Sequence, residues 1–226
     1  MIINATGFIT QVLTNPATGG ETPYSVFVPH HYDARQPYPL IVFLHGTGET
    51  GADGVTPTMV GLGPAVRQRE HTFPFICVFP QSQRGSWEAG YSDANRAIAI
   101  IDQVQANFNI DSACLHLTGI GMGGYGTWSL AFRYPERWAS IVPIAGGGRP
   151  SLAGTIKDIP CWCFHGENDE VISVEESRAM IRALREAGGH PRYTEYPGVG
   201  HNCWDLAYGQ DELYEWMLGQ TLRRHH

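Results

Sequence analysis

Leu117 to Trp128 reads LTGIGMGGYGTW, and the way this stretch folds decides what the rest of the chain can be. The apolar run CLHLTG leads into it, glycines crowd its centre, and YGTWSLAFRYP continues with helix-compatible composition. Strand, tight turn and helix are therefore expected in succession. Within the turn, Gly119-Ile120-Gly121-Met122-Gly123 fits the frame G-x-S-x-G, in which a serine sits on a strained strand-to-helix turn. Flanking glycines at minus two and plus two let strand and helix pass closely. The central residue here is glycine.

Working outward, FITQVLT and YSVFVP read as antiparallel opening strands joined by the turn-rich NPATGGETP. PLIVFLH, FICVFP, SIVPIAG, IPCWCFHG and RYTEYPG are further short strands, and runs apolar on both faces suit a parallel sheet covered on both sides. Between them lie helical patterns. Ala97, Ile101, Val104 and Phe108 form one apolar stripe, and Leu213, Trp216 and Met217 form another. SVEESRAMIRALREAGG opens with a capping box of Ser173 and Glu176 and stops at Gly188-Gly189. The expected fold class is α/β: a doubly wound, mostly parallel sheet flanked by helices, with antiparallel strands at the N-terminal edge. One domain over residues 1–226 is expected, with no large separate lid.

The net charge is −7 and Lys157 is the single lysine, which argues against nucleic acid as partner. No apolar run reaches the ~20 residues of a membrane span, and MIINATGFITQV lacks a basic, then apolar, leader pattern. A soluble, cytoplasmic protein is expected, with secretion as the alternative if a leader was removed. The terminal RRHH has the composition of a tag remnant and is assigned no role. Five cysteines at irregular spacing do not suggest a disulfide framework. Cys161 and Cys163 are expected to be small core residues on opposite faces of a strand. Despite ten histidines, no H-E-x-x-H or comparable spacing occurs, so no metal and no cofactor are expected.

Chain order tests the elbow. An α/β-hydrolase carries its nucleophile first, its acid next and its histidine last. Asp169 follows a strand in CWCFHGENDEVI, and His201 lies in the Gly-rich loop of YPGVGHNCWDLAY, so 121, 169 and 201 fall in that order. A histidine base needs an acceptor on its second ring nitrogen, which a loop aspartate supplies. Asp205 and Glu167 are the competing acids, in less suitable places. In LIVFLHGTGETGADG a strand ends at His45-Gly46 and enters a Gly-rich loop, where this fold supplies one oxyanion-hole amide. Thr47 is the candidate for that donor and Met122, the residue after the elbow, for the other. The loop lacks the G-K-[ST] ending of a phosphate cradle.

Together FLHGTGETGADG, FPQSQRGSW, GIGMGGYGTW, FHGENDEVI and GVGHNCWDLAY resemble the small single-domain esterases of the α/β-hydrolase superfamily. They are most similar to the carboxylesterase, feruloyl-esterase and polyhydroxybutyrate-depolymerase-like group, related to prolyl-oligopeptidase-type hydrolases. The resemblance implies a triad of Asp169, His201 and a serine replaced at Gly121, with an oxyanion hole at Thr47 and Met122. It also implies that Trp87 and Trp204, with Gly46, line the substrate pocket, although either tryptophan could equally be packing. The implied partner is a small-molecule ester, and the oligomeric state is undetermined.

Gly121 cannot form an acyl-enzyme. Thr118, Cys114 and Ser129 are expected too far along strand or helix to replace it. Three readings stay open. One is an esterase scaffold inactivated by an engineered Ser→Gly substitution. Another is a natural non-hydrolytic relative that binds an ester-like or aromatic ligand. The third is a hydrolase that uses water, deprotonated by His201, or the ligand itself as nucleophile.

Overall fold

The structure, a computed structural model, describes residues 5–222; the first four residues of the N-terminal segment and the terminal RRHH lie outside them. The first strands, β1 (Gly7–Thr14) and β2 (Glu21–Val28), form the antiparallel pair at one edge. Then follow β3 (Tyr38–Leu44), helix α1 (Leu62–Gln68), β4 (Ile76–Phe79), α2 (Ser92–Asn107) and β5 (Ile110–Ile120). The chain continues through α3 (Met122–Arg133), β6 (Ser140–Ile144), β7 (Trp162–Gly166), α4 (Val174–Glu186), β8 (Arg192–Tyr196), α5 (Trp204–Gly209) and α6 (Asp211–Leu218). All eight strands join one sheet in the order β1-β2-β4-β3-β5-β6-β7-β8. From β4 to β8 neighbours run parallel, while β2 meets β4 antiparallel.

The central strands β3, β4 and β6 are buried at nearly every position because each face has its own cover. Leu40, Val42 and Leu44 of β3 join Ile76 and Val78 of β4 under α2, α3 and α4, with Trp128 and Trp138. The alternate residues Ile41, Phe43, Cys77 and Phe79 point the other way, against α1, α5 and α6. This is the two-residue period of a strand with helices on both sides. The stripe of Ala97, Ile101, Val104 and Phe108 packs into the first cluster, and Leu213 and Met217 into the second.

Two expectations fail here. Cys161 and Cys163 share one face and one cluster, with Trp162 on the opposite face, because residues two apart in a strand point the same way. Both are buried free thiols. At the start of α4, Ser173 Oγ accepts from the Glu175 amide at 3.3 Å, but Glu176 does not close a capping box. Its carboxylate lies instead beside Gly147, in the space a Cβ there would fill.

The first turn of α3 presses onto the ends of β3 and β5. A Cβ on Gly123 would collide with the Leu44 and His45 carbonyls, and one on Gly119 with the Gly123 carbonyl. No helix among the described residues is long and apolar enough to cross a membrane. Gly123→Ala should destabilise the fold by about 3 kcal/mol or more, because backbone atoms must move. Gly154→Ala, where no atom lies within 4 Å of the added methyl, should stay within about 1 kcal/mol of the parent. Urea unfolding of the two variants against the parent measures the contrast.

Candidate active site

Gly121 sits at the junction of β5 and α3 with φ 52° and ψ −114°. That is a left-handed region in which a residue with a Cβ is strained. The turn is fixed by its amide on the Ile144 carbonyl at 3.0 Å and by its own carbonyl, which accepts from the Gly124 amide at 2.8 Å. A Cβ on Gly121 would meet His201 Nε2 at 3.4 Å and Cε1 at 3.6 Å, with nothing else within 4 Å. The elbow is aimed at the histidine and leaves room for a short side chain between them.

His201 stands in the loop between β8 and α5, with a quarter of its side chain exposed. Its Nδ1 lies 2.7 Å from Asp169 Oδ2. The carboxylate can only accept, so Nδ1 carries the hydrogen and Nε2 faces Gly121 with a free lone pair. Trp204 meets the imidazole edge-on, ring centroids 5.2 Å apart. The Asp169 side chain is fully buried. Its Oδ1 accepts from the Val171 and Ile172 amides, both at 2.9 Å. Neither competing acid reaches the histidine: Asp205 pairs with Asn202, and Glu167 accepts from the Gly198 amide.

Met122 opens α3 and Thr47 opens a short 3₁₀ turn after β3. Among the described residues, neither amide donates to a protein acceptor. Both residues line a cleft of about 600 Å³, with Trp87, Tyr125, Ser129 and Phe132 among its walls. Trp87 is buried and donates from Nε1 to the His45 carbonyl at 3.0 Å. Trp204 lines a separate groove with Met59 and Asn202. Gly46 precedes the 3₁₀ turn, its Cα facing Glu49 and Ile120. Thr118 is spent on the Val142 carbonyl and Tyr208, Cys114 on Asp111, and Ser129 Oγ accepts from the Ala89 amide.

The loop carrying Thr47 is stitched to the segment after β4. Ser82 N–H donates to His45 Nε2 at 2.9 Å, which leaves His45 Nδ1–H to donate to the Gly46 carbonyl. Burial holds the His45 imidazole below its ordinary pKa and so neutral. Gln81 donates to the Glu49 carbonyl at 2.9 Å and accepts from the Gly54 amide at 2.7 Å. Asp93 anchors this segment through Ser82 Oγ at 2.6 Å. A second buried histidine, His165, touches Asp169 Oδ2 at 3.1 Å. Sequence reasoning passed over His45, Gln81, Ser82, Asp93 and His165 as functional. The available signal was that both LHG and FHG place a histidine at the last turn of an otherwise apolar strand.

Residues that could hold a metal do not cluster: no group of three or more His, Cys, Asp or Glu among the described residues is arranged for one. Burial opposes ionisation of Asp169, but hydrogen bonds from His201 and from the Ile172 and Val171 amides outweigh it and hold the carboxyl below its ordinary pKa. A carboxyl with a lower pKa in the folded state stabilises the fold above its unfolded value of about 3.9 and loses that contribution as pH falls through the folded value. Chemical denaturation of the parent should therefore show stability falling below about pH 4, and Asp169→Asn should flatten that part of the profile.

The chain matches the Esterase family over residues 15–200. It is 27% identical to feruloyl esterase D of Neurospora crassa over 88% of this chain and 71% of that protein. It is 28% identical to poly(3-hydroxyalkanoate) depolymerase C of Paucimonas lemoignei over 65% of this chain and 37% of that protein. Among solved structures, a thermostable esterase superposes with a TM-score of 0.84 at 36% identity, covering 95% of this chain and 63% of that one. The chain thus spans less than two thirds of the depolymerase and of the thermostable esterase. The sheet order, the antiparallel edge and these neighbours are those of the α/β-hydrolases. The chain belongs to the Esterase family and carries the scaffold of a carboxylic ester hydrolase.

Proposed function

We propose that this is a serine-esterase site in which glycine stands at the nucleophile position, so that the chain binds small soluble or aromatic esters with little or no turnover. The observation that carries the reading is Gly121 itself. Its backbone sits at φ 52°, and its missing Cβ would point at His201 Nε2 from 3.4 Å. A serine there would place its hydroxyl within reach of a base whose other nitrogen is held by Asp169 at 2.7 Å.

The geometry supports a role for each residue. An ester carbonyl in the cleft has the free amides of Met122 and Thr47 to stabilise its developing oxyanion. His201 would take the proton from the attacking hydroxyl and return it to the leaving alcohol, and Asp169 would hold its tautomer. The cleft walls of Trp87, Met122, Phe132 and Ile172 suit an apolar or aromatic portion of the ester. The names of the relatives, a feruloyl esterase and a polyester depolymerase, support ester chemistry of this kind.

A second reading has support from the same space. Replacing serine by glycine frees the ~30 Å³ share of one water, directly in front of the free lone pair of His201. Water activated there would hydrolyse an ester slowly, with no covalent intermediate.

Gly121→Ser should raise the hydrolysis of p-nitrophenyl acetate by about 10³-fold or more, and a phosphonate should label position 121. A folded but inert Gly121→Ser chain would sink the esterase reading. Turnover by the glycine form that disappears in His201→Ala would identify the water route.

A further inference from the structure

The acid of the site is held by more than the catalytic histidine. Asp169 Oδ2 lies 2.7 Å from His201 Nδ1 and also 3.1 Å from Nε2 of His165, a side chain with no exposure at the end of β7. The same His165 Nε2 is 2.9 Å from the Ile172 carbonyl. Both neighbours of this nitrogen are acceptors, so it must carry the hydrogen. Nδ1 is left with its lone pair facing Ser177 Oγ at 2.7 Å, and Ser177 in turn accepts from the Cys163 thiol at 3.3 Å. The hydrogens then run one way: Cys163 to Ser177, Ser177 to His165, and His165 to the Ile172 carbonyl and Asp169 Oδ2, which share its Nε2 hydrogen. The longer 3.1 Å approach of Ser177 Oγ to the Gly146 carbonyl gives up its hydrogen to this arrangement.

An ionised carboxylate offers about four acceptor positions. At Asp169 they are taken by the amides of Val171 and Ile172 on Oδ1 and by His165 and His201 on Oδ2. From these contacts we infer that His165 is a positioning residue for the acid, donating from Nε2 so that Asp169 divides its Oδ2 between two histidines. This rests on the esterase reading of Gly121, Asp169 and His201. His165 acts in two ways. It fixes the rotation of the carboxylate, which sets where His201 points. It also takes a share of the negative charge, which limits how strongly Asp169 stabilises the protonated form of His201.

The other titratable groups around this pair are few. Glu195 of β8 lies beside His165 in register and is neutralised by Arg178. Tyr125 of α3 lines the cleft, and burial, with the Glu176 and Asp169 carboxylates, raises its pKa. The thiols of Cys163 and Cys203 complete the surroundings, and burial pushes both up to about 12, so they stay neutral.

The first test uses the chain as it is. In ¹⁵N-histidine NMR, His165 should appear as the Nε2–H tautomer, and His165→Leu should move the low-field His201 Nδ1–H resonance while His165→Gln, which keeps an N–H donor, largely restores it. A His165 in the Nδ1–H form, or a His201 resonance indifferent to His165→Leu, overturns the inference. The second test places the same variants in Gly121→Ser. His165→Leu should move the acid limb of the kcat/KM profile to higher pH by about half a unit or more, because Asp169 then acts on His201 alone. His165→Gln should leave the limb near the parent. A uniform loss of activity with an unmoved limb would mean a packing role only. An inert Gly121→Ser chain would count against the esterase reading, while the NMR outcome still decides the role of His165.

Discussion

Every other part of the site is placed relative to one backbone turn, the left-handed conformation of Gly121 between β5 and α3. The sheet holds this conformation, through the Ile144 carbonyl, and so does the close pass of α3 over β3, which only glycines at 119 and 123 permit. Whatever residue stands at 121 is aimed at His201 by its surroundings and not by its own side chain. A serine would bear a strain of about 1–3 kcal/mol in that conformation, whereas glycine adopts it freely. Glycine at this position therefore relaxes the turn and offers no side chain to react. A glycine elbow and an intact architecture are compatible for that reason.

The loops on either side of the elbow are set by a pair of buried histidines in opposite tautomers. His45, after β3, accepts at Nε2 from the Ser82 amide and donates from Nδ1 to the adjacent carbonyl. His165, at the end of β7, donates from Nε2 and accepts at Nδ1. In each case the neighbours choose the tautomer: an amide on Nε2 in one, two acceptors in the other. An imidazole can do this where an aliphatic residue of similar size cannot, since it fills core volume and still answers a donor and an acceptor on opposite sides. The polar ends of β3 and β7 are thus structural in packing and directive in what they hold.

Much of this was legible in the sequence because it depends on local pattern. The alternation of Leu40, Ile41, Val42, Phe43 and Leu44 between two covers follows from an apolar strand bounded by a turn. Asp169 and His201 were readable from chain order, and the structure brings them to 2.7 Å. Side-chain partners set by tertiary contact were not readable. Glu176 reads as a capping-box residue, but its carboxylate sits beside Gly147, far away in sequence. Ser82 and Gln81 reach across from the end of β4 to the loop after β3, a contact with no signature in either segment alone. The opposite-face expectation for Cys161 and Cys163 contradicted the two-residue period of a strand, and the shared cluster restores it.

Which features speak for chemistry, and which would exist in any protein of this shape? Free amides at Met122 and Thr47 are weak evidence, since they border an open cleft where solvent satisfies such groups at small cost. Asp169 is different. Its side chain is out of solvent, and an ionised carboxylate there is expensive unless fully hydrogen-bonded. The chain commits two loop amides and two imidazoles to keep it charged. A purely structural core would be served as well by an apolar residue at 169. What the charge does is fix the tautomer of a histidine that is itself a quarter exposed and turned toward Gly121. The arrangement presents one basic nitrogen to one point beside the elbow, and glycine at 121 leaves the space in front of that nitrogen empty of any side chain.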